Sequence, residues 1–157
     1  MKKRSKPKNR YPNPRIKGFA EIFRIIREEE DWHPKEITSD TLITLGISPG
    51  KETQTIFALK FLTIIDEENH PTVEFDNLRN DFIPSLSKIT TKAYEKVFDT
   101  IPMSLMRQKT LVNLFMQEGY SEETAEYQAK FFAWLCEESD IELPNIESTF
   151  KRARFDK

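Results

Sequence analysis

Residues 37–65 read ITSDTLITLGISPGKETQTIFALKFLTII, and this stretch predicts two helices joined by a short turn. Thr38 or Ser39 is a suitable N-cap for the first of them, and Gly46 is a suitable C-terminal stop. Proline and glycine follow in the connection, as is typical of a turn. The next helix, the third of the chain, is expected to begin at Lys51. This order favours a helix-turn-helix element.

The flanking sequence extends this element into a winged-helix-like lobe. A first helix is expected upstream, beginning at Pro14 and ending before Pro34. Downstream, the segments 63–65 and 72–75 are short and rich in β-branched residues, which is typical of strands. The order of the elements is one helix, a helix-turn-helix and a hairpin. This order predicts a winged-helix-like lobe with a small β-hairpin.

The second half of the chain predicts further helices. Apolar residues recur there at helical spacing, with breaks at Pro84, Pro102 and Gly119. We therefore expect a mainly α protein whose winged-helix-like lobe packs on a helical lobe. The predicted segments are a flexible basic arm at 1–13, the winged-helix-like lobe at 14–76, the helical lobe at 77–140 and a basic tail at 141–157.

Charge is distributed unevenly along the chain, although the formal net charge is only -2. Residues 1–17 contain eight Lys and Arg and no acidic residue. Residues 18–150 contain 12 basic and 25 acidic residues, a net charge of -13, and residues 151–157 are basic again. The sequence thus predicts an acidic body with a basic segment at each end, a pattern typical of interaction tails.

Several classes of protein are excluded by composition. No apolar run is long enough to span a bilayer, so we expect no membrane association. A single cysteine, Cys136, excludes a disulfide scaffold and a cysteine-based zinc site, and favours a reducing cytoplasm. No phosphate-binding loop, nucleophile motif or paired-histidine motif is present. His33 and His70 lie beside acidic residues, which could hold a cation, but we interpret the segments that contain them as solvated loops. We therefore expect no enzyme activity, no catalytic residue, no metal and no cofactor.

A set of short motifs resembles an uncharacterised prokaryotic domain family of unknown function, over residues 11–132. They include Tyr11-Pro12-x-Pro14, Ile37-Thr38, Leu45-Gly46, Gln54 followed by Ala58-Leu59-Lys60-Phe61-Leu62, Ile65-Asp66, Pro71-Thr72, Leu78-Arg79 and Ala93-Tyr94. Members of that family look winged-helix-like in their first half, so the resemblance implies the same fold here. It implies no activity and no catalytic residue.

The first functional hypothesis is a non-catalytic DNA-binding or regulatory adaptor that binds double-stranded DNA. In a helix-turn-helix the second helix enters the major groove, and an unstructured basic arm can follow phosphates. The acidic segment 66–68 opposes such binding, so the arm should supply most of it. The candidate nucleic-acid-binding residues are Lys2, Lys3, Arg4, Lys6, Lys8, Arg10, Lys51, Thr53, Gln54, Thr55 and Lys60.

The alternative hypothesis is a protein–protein interaction adaptor in a larger assembly, with no nucleic-acid binding. Aromatic side chains are frequent anchors of protein interfaces, and the last helix and the C-terminal tail contain several. The candidate interface residues are Tyr127, Phe131, Trp134, Phe150 and Phe155. Both hypotheses are compatible with the sequence, and neither defines an oligomeric state.

Overall fold

The structure, a computed structural model, describes residues 10–146. Within that range all regular secondary structure is helical, so the prediction of a mainly α protein is confirmed. In chain order the helices are α1 (Ile16–Glu28), α2 (Ser39–Leu45), α3 (Glu52–Phe61), α4 (Val73–Asn80), α5 (Phe82–Ala93), α6 (Glu95–Thr100), α7 (Gln108–Gln117) and α8 (Glu122–Glu138), with a short 3-10 helix at Met103–Leu105.

The predicted β-hairpin is absent from the described residues, so the winged-helix prediction is wrong. One antiparallel bridge joins Ile65 to Pro71, and proline cannot extend the pairing because it has no N–H to donate. In place of a second strand, α4 begins at Val73, and the Thr72 hydroxyl accepts a hydrogen bond from its first turn (3.1 Å). Residues two apart in a strand lie on the same face and should be buried alike. Val73 is 66 % exposed while Phe75 is buried, so their burial does not fit a strand.

The turn that was expected to form the tip of a wing is instead fixed to the body of the protein. Asp66 Oδ1 accepts hydrogen bonds from the N–H groups of Glu68 and His70, both at 2.9 Å. Asn69 takes a left-handed conformation (φ 70°), and its Nδ2 donates to the carbonyl of Ile37 at 2.8 Å. The Ile37 N–H donates back to the Asn69 carbonyl at 2.9 Å. These bonds hold the turn against the α1–α2 connection.

Tyr11 anchors the segment that precedes α1. Its buried ring stacks on Tyr94, with 5.7 Å between centroids, and contacts Phe115 at 4.9 Å. Its N–H donates to the hydroxyl of Tyr120 (3.2 Å), and its carbonyl accepts from Nε2 of the buried Gln128 (2.8 Å). Burial is the main cause that raises the pKa of Tyr11 to about 12. Ring and backbone together fix the start of α1 against α7 and α8.

The first turn of α1 lies directly on the α2–α3 connection because residue 18 is glycine. A Cβ added to Gly18 would lie 1.9 Å from Ser48 Oγ, which is too close, and 3.1 Å from Ser48 Cβ, which is tight. Ser48 is itself buried and has a positive φ of 51°. This close approach brings the N-terminal ends of α1 and α3 together, and the candidate site lies there.

Arg79 holds the other end of α1. Its guanidinium donates to the carbonyls of Ile26 (2.8 Å), Glu29 (3.0 Å) and Trp32 (3.0 Å), and it lies over the ring of Phe75. Carbonyls at the C-terminus of a helix have no partner within the helix, and a cation there is favourable. Arg79 on α4 therefore fixes where α1 ends and where the following loop begins.

One continuous hydrophobic cluster runs through the described residues, from Tyr11 to Ile146. α8 lies at its centre, since all side chains from 131 to 136 are buried. α7 packs along α8, and α5 packs against it as well. The cluster includes side chains from both predicted lobes, and the boundary between the lobes stays a prediction.

Candidate nucleic-acid interface

An open groove of about 960 Å³ lies between the N-terminal ends of α1 and α3 and the exposed side of α8. We call it the basic groove. The residues that line it are Asn13, Pro14, Arg15, Ile16, Lys17, Ala20, Lys51, Gln54, Glu123, Thr124, Tyr127, Lys130 and Trp134. It thus includes residues from three segments that are far apart in the sequence.

The charge of the basic groove is opposite to that of the body of the chain. Four of its lining residues are cations, namely Arg15, Lys17, Lys51 and Lys130, and Glu123 is the one carboxylate among the described lining residues. None of the four cations forms an ion pair within residues 10–146. Carboxylates outnumber cations about two to one in the body, so a groove lined by four cations and one carboxylate reverses the local balance of charge.

Two of these cations stand where a helix favours negative charge. Arg15 is the N-cap of α1 and Lys51 is the N-cap of α3, and neither side chain accepts a capping hydrogen bond. The first turn of α1 has no acidic residue, and Lys17 adds a further cation there. Because the N-terminus of a helix carries a partial positive charge, this arrangement does not stabilise α1, whereas Glu52 in the first turn of α3 offsets part of the charge there. A bound anion would offset the repulsion.

The α8 wall of the basic groove presents an aromatic ring with a cation above it. Tyr127 is 53 % exposed, and Lys130 Nζ lies 5.6 Å from the centre of its ring. On the α3 wall, the side-chain amide of the half-buried Gln54 has no hydrogen-bond partner within the described residues. The groove therefore offers a flat aromatic surface, an amide and four positive charges to one ligand.

The structure brings together two of the residues that the sequence assigned to nucleic acid. Lys51 and Gln54 both line the basic groove, and Thr53 is exposed beside them. Thr55 does not fit its predicted role, because it is fully buried and its Oγ1 donates to the carbonyl of Lys51 (3.1 Å). Lys60 is half-buried and does not line the groove.

The predicted basic arm falls almost entirely outside the described residues, where Lys2, Lys3, Arg4, Lys6 and Lys8 lie. Arg10 is described and exposed, and its guanidinium lies 4.6 Å from the centre of the Phe57 ring on α3.

The predicted protein-interface residues divide into three groups. Tyr127 is exposed and lines the basic groove. Phe131 and Trp134 are buried, at 0 % and 2 % exposure, so neither serves as an exposed anchor. Phe150 and Phe155 lie outside the described residues. The side chains at 131–136 are all buried, which is why the structure leaves neither Phe131 nor Trp134 exposed.

Sequence analysis missed three of the groove cations, Arg15, Lys17 and Lys130. Arg15 and Lys17 were counted only as part of the basic N-terminal segment, although they flank the first helical residue. Lys130 stands three residues after Tyr127 on α8, a spacing that places both on one helix face. That spacing is the one local signal that could have identified the pair.

A second cluster of polar side chains lies at the turn between α3 and α4. Asp66, Glu68 and His70 are exposed, and their ligand atoms lie within 4.8 Å of one another. The hydrogen bond from the His70 N–H is the main cause that lowers the pKa of the Asp66 carboxyl. The same hydrogen bonds explain the geometry as a turn, and we assign no ligand to it. No helix within residues 10–146 is long and apolar enough to cross a membrane.

Comparison with known proteins identifies the family. A family model described as "Family of unknown function (DUF5343)" matches residues 14–145, and the chain belongs to that family. No curated protein and no solved structure shows significant similarity to the chain.

Proposed function

We propose that this member of the family is a non-catalytic DNA-binding or regulatory adaptor that holds nucleic acid in the basic groove. The observation that carries the proposal is the clustering of four cations with a single carboxylate in one groove of an acidic protein. Nucleic-acid binding relies largely on lysine and arginine that neutralise phosphates. The basic arm, residues 1–13, includes six further Lys and Arg and directly precedes the segment that lines the groove in the sequence.

The placement of the positive charges in one groove of an acidic protein supports this proposal over a merely solubilising role for the cations. The net negative charge of the body repels a polyanion, so a local cluster of cations is where one can bind. Arg15, Lys17 and Lys51 come from the ends of two helices that Gly18 brings together, and Lys130 faces them from α8. The single cysteine, which is buried, supports a cytoplasmic location as part of the same proposal.

Charge reversal in the basic groove tests the proposal. In the variant Lys51→Glu/Lys130→Glu, the described lining changes from four cations and one carboxylate to two cations and three carboxylates. We expect its affinity for labelled DNA to fall on the order of tenfold or more at low salt, because two phosphate contacts become repulsive. Fluorescence anisotropy with a single strand and its duplex measures this loss.

The matched control is Lys35→Glu/Lys109→Glu, which makes the same change in net charge at two exposed lysines that do not line the groove. At the same low salt it is expected to lose clearly less affinity than the groove variant, and the gap should widen at physiological salt, where distant surface charges are screened. Equal losses in both variants would mean that only net charge matters, and the groove would then have no special role.

The second candidate function is a protein–protein adaptor, which the exposed apolar side chains of α2 favour. Ile43 is 60 % exposed and Leu45 is 41 % exposed. Neither lines the basic groove, so the two functions use different surfaces. Absence of DNA binding by the wild-type protein at low salt would contradict the first function and leave this one.

A further inference from the structure

We infer that the basic groove takes a single-stranded nucleic acid, with an unpaired base stacked on Tyr127 and the phosphates against the surrounding cations. The inference rests on the proposed function and narrows its ligand from nucleic acid in general to a strand whose bases are free to stack. DNA and RNA share this chemistry, and the experiment below separates them.

Tyr127 is the first observation. Its neighbours Ala125, Gln128 and Ala129 on α8 are buried, yet its ring is more than half exposed. Lys130 Nζ lies 5.6 Å from the centre of the ring, so a base stacked on Tyr127 would have a cation close to its phosphate. Proteins that bind single strands combine a positively charged groove with aromatic side chains on which bases stack. A duplex keeps its bases stacked on one another and offers no free face to such a ring.

The position of α3 is the second observation, and it argues against a duplex. A recognition helix must project so that its side chains reach into a major groove about 12 Å wide. Of the residues in α3, Thr53 alone is exposed, and the rest are half-buried or buried. Thr55, Ala58 and Leu59 are fully buried, so α3 lies embedded in the protein along most of its length.

The third observation is the shape of the surface. The cations line one open groove and come from different elements: Arg15 and Lys17 from the start of α1, Lys51 from the start of α3 and Lys130 from α8. A single flexible strand can enter such a groove and place phosphates against both walls. The turn at 65–71 is fixed to Ile37, so no wing lies beside α3 to contact the backbone of a duplex.

Ligand comparison by fluorescence anisotropy tests the inference on the full chain. The labelled probes are a short single-stranded DNA, an RNA of the same sequence, the corresponding DNA duplex, and a DNA strand of equal length and charge without bases. We expect the base-containing single strands to bind on the order of tenfold more tightly than the duplex and the abasic strand, since stacking adds to phosphate contacts. A difference between the DNA and RNA arms identifies which strand is the better ligand.

Two variants of one residue locate the stacking. Tyr127→Ala should weaken binding of base-containing strands by about tenfold and leave the abasic strand unchanged, whereas Tyr127→Phe should retain the wild-type affinity. Circular dichroism checks that both exposed substitutions leave the helices intact.

Equal affinity for single strand and duplex, together with no effect of Tyr127→Ala, would overturn this inference. The proposed function would then stand provided that Lys51→Glu/Lys130→Glu still weakens DNA binding. Absence of binding to every nucleic acid at low salt would contradict the proposed function itself. Binding of an acidic polypeptide, poly-glutamate, as tightly as the single strand would also overturn the inference, because bases would then contribute nothing.

Discussion

Replacing Tyr11 with alanine is expected to lower the free energy of unfolding by about 3–5 kcal/mol, the usual cost of removing a buried aromatic ring. The ring lies between Tyr94 and Phe115, and the residue stands only five positions before α1. Loss of the ring would leave a cavity. It would also free the segment that follows Tyr11, which places Asn13, Pro14 and Arg15 in the lining of the groove. Urea denaturation followed by circular dichroism measures the change.

Tyr11→Phe is the matched control. The Tyr11 hydroxyl forms no hydrogen bond within residues 10–146, so phenylalanine keeps the ring contacts and leaves no buried polar group without a partner. We expect the free energy of unfolding of this variant to lie within about 1 kcal/mol of wild type near neutral pH. An alanine variant as stable as wild type would contradict the anchoring role of Tyr11.

Replacing Phe131 with alanine is also expected to cost about 3–5 kcal/mol of unfolding free energy. Phe131 is fully buried, contacts Phe19 edge-on with 5.1 Å between centroids, and stacks with Trp134 at 5.9 Å. This result would show that Phe131 is a core residue and not an interface residue, because truncating an exposed side chain costs the protein little unfolding free energy. Tyr127→Ala, on the same helix, is expected to change the free energy by less than about 0.5 kcal/mol.

Urea denaturation of the Phe131 and Tyr127 variants side by side gives this comparison. Similar, small effects of both substitutions would mean that Phe131 is exposed in solution and that the packing of α8 differs from the structure. A large loss of stability for Tyr127→Ala would mean that its ring supports the fold, and weaker binding by that variant would then not show stacking.

Local signals in the sequence predicted both ends of α2: Thr38 caps it, and Gly46 ends it in a left-handed conformation (φ 72°). Each of these roles depends on a residue and its immediate neighbours, so it can be inferred without the tertiary structure. The break expected at Pro84 was wrong, because Pro84 lies in the first turn of α5, where proline is tolerated.

The hairpin was mispredicted because 72–75 carries two conflicting signals. Thr72 and Val73 have β-branched side chains that favour a strand, but Thr72 is also a good N-cap. Glu74 and Asp76 fall in the first turn of α4, where negative charge favours a helix. Those two acidic residues were the deciding signal.

The candidate site could be predicted only in part, because it depends on contacts between distant segments. Lys51 and Gln54 were identified from the position of α3, whereas Lys130 joins them only after α8 packs beside α1. Phe131 and Trp134 were misassigned because an aromatic residue at helical spacing fits a core and an interface equally well. The side chains at 131–136 are all buried, so this part of α8 lacks the amphipathic pattern that would distinguish them.

The salt dependence of binding tests the central claim most directly. Affinity of the full chain for the single strand is measured by anisotropy over a range of NaCl concentrations, for wild type and for Lys51→Ala/Lys130→Ala. If both lysines neutralise phosphates, the slope of log affinity against log salt should become shallower by about 1.4 in the variant, since each phosphate contact on a single strand contributes about 0.7. Parallel lines with equal slopes would show that neither lysine contacts the nucleic acid, and would contradict the assignment of the basic groove.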